Sequence, residues 1–218
     1  MKIKICGLTR PEEANYINEA KVDYAGFVFY GPSKRNVSIS QANEIKKLLE
    51  TGIKTVAVMV APDISLINQV QDSGFDILQI HKELNNEMID AARLPIWYAI
   101  NISDEDEANA KMGFIDKLSE ERKKKIEAIV VDAPDFGSGK TFNWRKSRRL
   151  LKAGAQSPPG DDRLFILAGG LNPDNVAEGI ELFNPDIVDV SSGVEGTQGK
   201  DRSKIEAFVK AARQAAKA

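Results

Sequence analysis

The sequence predicts an α/β fold, a single-domain (β/α)8 barrel built on eight parallel strands. Short apolar runs recur along the chain with helix-like segments between them, and most of these runs are continuously apolar rather than alternating. Strands that helices cover on both faces have this pattern, which indicates a parallel sheet. The eight predicted strands are Ile3–Cys6, Tyr24–Phe29, Lys54–Val60, Asp76–Ile80, Ile96–Ile100, Ala128–Val131, Leu164–Ala168 and Ile187–Val190.

The segments between the strands carry helix-start signals. Thr9 is the predicted N-cap of the first helix, either Ser38 or Ser40 begins the second, and Asp63 and Asp201 precede two later ones. Eight such units average about 27 residues each, which is compact for a barrel whose usual length is ~250 residues. Strand counting alone leaves an open, doubly wound sheet as the alternative.

Composition excludes several classes of protein. The 30 basic and 32 acidic residues give a formal net charge of −2, so no overall field attracts nucleic acid or an anionic membrane. One cysteine cannot form an intramolecular disulfide, and no apolar stretch approaches the roughly 20 residues that cross a bilayer. Met1–Lys4 leads into a strand rather than an apolar signal segment. We therefore expect a cytoplasmic protein with one domain over residues 1–218.

Glycine-containing segments follow the last two predicted strands. Gly169 and Gly170 come after strand seven, and Ser192 and Gly193 come after strand eight. Small residues let backbone N–H groups approach an anion closely. Because the loops after strands seven and eight form the recurrent phosphate site of the barrel fold, these four residues are the predicted phosphate-binding residues.

Two chemically reactive side chains end strands at the same predicted rim. Cys6, the only cysteine, ends strand one, and Asp132 ends strand six. In a ring of eight strands they would flank the phosphate loops, an arrangement that suits a paired general acid and base. The structural alternatives are a small buried thiol and a turn-capping carboxylate.

Three further features have weaker signals. Phe136–Thr141 resembles the end of a nucleotide-binding loop, but Pro134 stands where that motif needs glycine, so nucleotide binding is not favoured. His81 either lines a pocket or makes structural hydrogen bonds, and a lone histidine predicts no metal site. Arg35, just after strand two, could hold a carboxylate with its planar fork, although most loop arginines are only solvated.

Taken in order, the strand ends resemble those of one family, phosphoribosylanthranilate isomerase of tryptophan biosynthesis. The resemblance runs from the first strand to the last helix, and so many ordered matches are more specific than any single motif. The matching segments are Lys4–Thr9, Gly26–Phe29, Ser33–Val37, Leu78–His81, Val131–Ala133, Gly137–Trp144, Leu167–Val176, Asp189–Glu195 and Gly199–Asp201.

The resemblance implies a barrel that converts N-(5-phosphoribosyl)anthranilate to a 1-deoxyribulose 5-phosphate isomer by an Amadori rearrangement. It implies Cys6 as general base and Asp132 as general acid. It implies Arg35, His81 and Asp189 as substrate-binding residues. No metal and no cofactor are implied, the partner is a small phosphosugar, and the chain is expected to be a monomer or a homodimer.

The chain departs from the family pattern at Lys34, where proline is typical, and at Lys82, where glycine is typical. A related isomerase acting on an aminoimidazole carboxamide ribotide is the nearest alternative, but it is expected to use two aspartates, at strands one and six. Cys6 occupies the first of those positions. A catalytically silent ligand-binding barrel is the alternative from another class.

Overall fold

Eight parallel strands close into a barrel in the computed structural model, which describes residues 1–101, 105–132 and 162–217. The predicted fold class is confirmed, since β8 pairs with β1 and no open edge is left between them. The strands are β1 Lys2–Cys6, β2 Tyr24–Phe29, β3 Lys54–Val60, β4 Ile77–His81, β5 Ile96–Asn101, β6 Ile126–Asp132, β7 Leu164–Leu167 and β8 Ile187–Val190.

Two buried layers explain why the strands are continuously apolar. Alternate side chains point into the barrel, where Tyr24 of β2 meets Trp97 of β5 edge to face with ring centroids 4.9 Å apart. The residues between them point outward and pack against the helices, as Phe27 does. Most strands are therefore buried on both faces, which explains their continuously apolar sequences. Strand β1 is an exception, because Lys4 is buried within it.

The helices lie between the strands. They are α1 Glu12–Glu19, α2 Ile39–Lys46, α3 Ile64–Asp72, α4 Asn86–Ala91, α5 Glu105–Asp116, α6 Glu120–Lys123, α7 Val176–Phe183 and α8 Arg202–Ala215. Ser38 is the N-cap of α2, and its hydroxyl accepts from the Gln41 backbone N–H at 3.1 Å. Asp63 and Asp201 cap α3 and α8 as predicted.

The prediction that Thr9 caps α1 is wrong. The helix starts after Pro11, and no side chain caps it there. The buried carboxylate of Glu13 reaches back instead, accepting from the backbone N–H groups of Thr9 at 2.7 Å and Arg10 at 3.2 Å. Glu13 also accepts from the Lys200 backbone N–H at 2.8 Å, so one side chain joins the start of α1 to a distant loop.

A short hairpin between β8 and α8 was not predicted. After a 3-10 turn at Ser192–Val194, strands β9 Glu195–Gly196 and β10 Gly199–Lys200 pair antiparallel. Two-residue strands have no hydrophobic periodicity, so the sequence carries no signal for them. The hairpin matters because it brings Glu195 and Lys200 to the end of the barrel where the strands finish.

Several sequence-based predictions fall outside the described residues. These are the nucleotide-loop-like segment Phe136–Thr141 and the family-like segment Gly137–Trp144. The prediction of one domain over 1–218 includes those residues and stays a prediction. In the described ranges, no helix is both long and apolar enough to cross a membrane.

Lys82, directly after β4, has a left-handed backbone with a φ of +64°. A side chain is strained in that conformation, whereas glycine is not. We expect Lys82→Gly to raise the free energy of unfolding by up to about 1 kcal/mol, the relief of strain being partly offset by the greater freedom of glycine in the unfolded chain. Urea unfolding measures the change. Lys82→Ala keeps the strain but lacks the ammonium group, so equal stabilisation by both variants would contradict the strain explanation.

Candidate active site

A cavity of about 770 Å³ opens at the end of the barrel where the strands finish. Its lining comes from the ends of β1, β2, β3, β4, β6, β7 and β8 and from the loops that follow them. Of the predicted site residues, it is lined by Cys6, Arg35, His81, Asp132, Gly169, Gly170, Asp189 and Ser192. Gly193 is absent from that lining and lies behind it.

Cys6 is the last residue of β1, and its side chain points into the barrel with only 8% of the residue exposed. Gly26 on the neighbouring strand makes room for it, because a Cβ at Gly26 would lie 2.9 Å from the Cys6 sulfur. Burial raises the pKa of the Cys6 thiol, and the Asp189 charge raises it further. The ammonium groups of Lys4 and Lys200 act in the opposite direction without reversing the shift.

Lys4 lies one inward position below Cys6 and is completely buried. Its Nζ atom is 2.7 Å from Oδ2 of Asp189, which stands directly opposite on β8. Burial lowers the pKa of the Lys4 ammonium, but the Asp189 carboxylate and the Cys6 thiol outweigh that effect, so the pKa is raised. The other carboxylate oxygen of Asp189, Oδ1, is buried and has no hydrogen-bond partner among the described residues.

Asp132 ends β6 at the same rim and is 9% exposed. Strands β7 and β8 stand between it and Cys6 in the ring. The two side chains therefore approach the cavity from either side of the glycine loops, the relative placement that the strand order predicts.

Arg35 contacts Glu195 of the hairpin rather than solvent. Its Nη2 atom donates to Oε2 of Glu195 at 3.1 Å, and its Nε atom donates to Oε1. Lys34 and Lys200 also reach this carboxylate, at 2.9 and 3.0 Å. Burial would raise the pKa of Glu195, but the hydrogen bonds and charges of these three cations outweigh it and lower the pKa to about 2. Glu195 is therefore ionised at any physiological pH.

His81 is buried and uncharged. Burial, with smaller contributions from the charges of Lys4 and Lys111, lowers its pKa to about 3. The side-chain amide nitrogen of Gln79 lies 2.8 Å from Nε2 of the ring.

The glycine loops after β7 and β8 approach each other closely. Gly169 and Gly170 have φ values of +83° and +70°, which favour glycine. A Cβ at Gly193 would lie 2.0 Å from the carbonyl oxygen of Leu171, so only glycine allows this contact between the two loops. Among the described residues, the backbone N–H groups of these three glycines and of Ser192 have no protein acceptor.

Comparison with known proteins decides the family. The model of the family described as N-(5'-phosphoribosyl)anthranilate isomerase matches residues 3–211. This chain belongs to the phosphoribosylanthranilate isomerase family. It is therefore an isomerase of tryptophan biosynthesis, as the resemblance in the sequence implied.

Relatives of the phosphoribosylanthranilate isomerase family match the chain over almost its whole length. The N-(5'-phosphoribosyl)anthranilate isomerase of Thermoanaerobacter sp. (strain X514) is 38% identical over 98% of both chains. That of Clostridium acetobutylicum is 38% identical over 96% of both. The crystal structure of the phosphoribosylanthranilate isomerase of Thermotoga maritima has a TM-score of 0.81 and 32% identity, covering 98% of this chain and 99% of that one.

One solved phosphoribosylanthranilate isomerase was crystallised with reduced 1-(o-carboxyphenylamino)-1-deoxyribulose 5-phosphate. Its TM-score to this chain is 0.79 at 29% identity, covering 98% of this chain and 99% of that one.

Sequence reasoning assigned no role to three site residues, namely Lys4, Glu195 and Lys200. The signal for Lys4 is its spacing, because residues two apart on a strand share a face and Lys4 therefore points the same way as Cys6. Glu195 and Lys200 stand within the family-like segments, but only the hairpin shows that they meet Arg35. In the described part of the chain, no three His, Cys, Asp or Glu side chains are grouped so that they could hold a metal ion.

Proposed function

We propose that the chain converts N-(5'-phosphoribosyl)anthranilate to 1-(2-carboxyphenylamino)-1-deoxyribulose 5-phosphate, with Asp132 as general acid and Cys6 as general base. The observation that carries this proposal is the placement of both side chains on one cavity, on either side of the glycine loops. A sugar phosphate whose phosphate lies at those loops presents its ribose to both groups.

Asp132 acts first. Its carboxylic acid gives a proton to the ribose ring oxygen while the lone pair of the anilino nitrogen forms a double bond to C1. The bond from C1 to the ring oxygen breaks, and an open-chain iminium remains. An acid at this position lowers the barrier because the ring oxygen would otherwise leave as an alkoxide.

Cys6 acts second, as the thiolate. It takes the proton from C2, and the electron pair of the C–H bond neutralises the iminium to give an enolamine. The enolamine becomes the ketone when C1 gains a proton and the C2 hydroxyl loses one. An isomerisation of this kind takes up no net proton, so Asp132 and Cys6 both return to their starting forms.

Two further groups would hold the ends of the substrate. Asp189 lines the cavity and is assigned to a sugar hydroxyl, which would donate to its carboxylate. Arg35 is assigned to the anthranilate carboxylate, with Lys34 as a second cation nearby. Because Glu195 already holds Arg35, the substrate carboxylate would join an existing ion cluster rather than bind a solvated arginine. His81, as a neutral imidazole, would line the pocket without adding charge.

The phosphate is assigned to the backbone N–H groups of Gly169, Gly170 and Ser192. Gly193 supports them from behind by permitting the close approach of the two loops. Inorganic phosphate should therefore bind there and protect the chain against heat, with protection that rises as the logarithm of its concentration once the site is mostly filled.

Gly170→Asp should abolish this protection, because its carboxylate would repel the anion. The side chain of Gly170→Asn has nearly the same shape and also tolerates the left-handed backbone, but it is neutral. Thermal unfolding with and without phosphate compares the two variants. Protection that survives in Gly170→Asp would place the anion elsewhere, and equal loss in both variants would indicate distortion of the loop rather than charge.

The experiment that tests the reaction is turnover of freshly generated phosphoribosylanthranilate, followed by the loss of its anthranilate fluorescence. The expected product is the deoxyribulose phosphate isomer, which has the same mass as the substrate and is identified by its ketone. A folded chain that binds the substrate without isomerising it would make this a binding barrel and overturn the proposal.

A further inference from the structure

The mechanism above gives no role to the buried ammonium group of Lys4. It lies in the wall of the barrel just below the reactive rim, with no part of the residue exposed. A buried ammonium is very unfavourable unless other groups compensate it, so the groups that it contacts define its role.

Lys4 lies beside two acidic groups rather than one. The first is Asp189, at 2.7 Å. The second is the thiol of Cys6, whose sulfur borders the same small space beside Gly26. The position that a Cβ of Gly26 would occupy lies 3.1 Å from Nζ of Lys4 and 2.9 Å from the Cys6 sulfur. A side chain at Gly26 would therefore collide with both groups, and glycine keeps this part of the wall free for them.

We propose that Lys4 is a positioning residue that holds the thiolate form of Cys6 by sharing its ammonium group between Cys6 and Asp189. This proposal rests on the proposed function only in that the thiolate is the base. In the resting state Lys4 and Asp189 form a neutral pair beside an uncharged thiol. When Cys6 loses its proton to solvent in the cavity, the ammonium has a second anion to stabilise.

The charged groups around Cys6 determine the direction of the effect. Lys4 faces it from β1, Asp189 from β8 and Lys200 from the hairpin, while β2 contributes only Gly26. Burial and Asp189 disfavour the thiolate, and the two lysines favour it. Lys200 belongs to the hairpin, where it is 3.0 Å from Glu195, whereas Lys4 lies inside the barrel on the same strand as Cys6.

The thiolate can be measured without any substrate. Cys6 is the only cysteine among the 218 residues, so the rate at which iodoacetamide alkylates the protein reports Cys6 alone. Only the thiolate reacts, and the pH dependence of the rate therefore gives the thiol pKa directly. Iodoacetamide is small and neutral, and Cys6 lines the open cavity.

A pair of variants separates the contact with Cys6 from the contact with Asp189. Asp189→Asn removes the carboxylate that competes with Cys6 for the ammonium group. The double variant, Lys4→Met with Asp189→Asn, also removes the ammonium group, and it leaves no buried carboxylate without its cation. At pH 7 we expect alkylation to be fastest in Asp189→Asn, intermediate in the natural chain and slowest in the double variant. The two variants should differ at least roughly tenfold, the equivalent of one pKa unit, and the rates should converge at high pH.

Equal rates in the two variants at pH 7 would overturn the proposal, because Lys4 would then act only through Asp189. If the double variant does not fold by circular dichroism, the comparison of Asp189→Asn with the natural chain decides: a rate no faster than that of the natural chain is the contrary result. A purely structural role for Lys4 would lower thermal stability without this order of rates. The alkylation rate is measured without turnover. A result against Cys6 as the catalytic base would therefore be distinguishable from a result against the role of Lys4.

Discussion

Cys6→Ser should retain the fold and lose roughly 10²-fold to 10⁴-fold in turnover, the usual scale for one acid–base group. A serine hydroxyl is smaller than a thiol and fits the same buried position, so little packing is disturbed. Its proton is far harder to remove, and the C2 proton of the iminium would have no competent acceptor. Steady-state turnover by anthranilate fluorescence measures the loss.

Cys6→Ala is the matched control, because it has no acid–base group at all. Both variants should bind the reduced product analogue about as well as the natural chain, since the base contributes to the transition state rather than to ground-state binding. Near-normal turnover in a folded Cys6→Ser chain would show that another group removes the proton. Loss of analogue binding in both variants would instead assign Cys6 to the shape of the pocket.

Much of the barrel could be predicted because its strands are buried on both faces. Continuous apolar runs such as Tyr24–Phe29 and Lys54–Val60 have the same bounds in the sequence-based prediction and in the structure. Other strands differ by one or two residues at an end, since hydrophobicity does not decide where the last ladder hydrogen bond forms. Thr9 was assigned as a cap from residue type alone, whereas no side chain caps this helix and the backbone N–H of Thr9 donates to Glu13 instead.

The rim residues were predictable because parallel strands of a barrel all finish at one end. Cys6 and Asp132 could therefore be placed on one cavity from their positions at strand ends. Asp189 could be assigned only by resemblance, and its pairing with Lys4 depends on the register between β1 and β8. The register between the first and last strands depends on how the whole barrel closes, so it cannot be predicted from the sequence of either strand alone.

The ions around Glu195 could not be predicted for a different reason. Lys34 and Arg35 lie about 160 residues from Glu195 along the chain, and their contact depends on where the hairpin after β8 folds. Isolated loop charges are usually solvated, so composition gives no reason to pair them. The structure changes the expectation for Arg35 in particular. The sequence predicted that its guanidinium could bind a carboxylate, and in the structure Glu195 already binds and orients it.

Asp132→Asn should lower turnover by roughly 10²-fold to 10⁴-fold through a different step from that affected by Cys6→Ser. The amide has nearly the shape of the acid but cannot give a proton to the ribose ring oxygen. Ring opening then becomes slow, while substrate binding stays close to normal. Turnover and product-analogue affinity of the purified variant test both statements.

Substrate deuterated at C2 separates the two roles. In Asp132→Asn, slow ring opening precedes C–H cleavage, so the deuterated and ordinary substrates should react at almost the same rate. In Cys6→Ser, removal of the C2 proton is itself slow, and the deuterated substrate should react clearly more slowly. A large isotope effect in Asp132→Asn would mean that Asp132 takes part in C–H cleavage and that the acid for ring opening lies elsewhere. A negligible isotope effect in both variants would mean that breaking the C2–H bond limits the rate of neither variant. Neither residue would then serve the removal of the C2 proton that is assigned to Cys6.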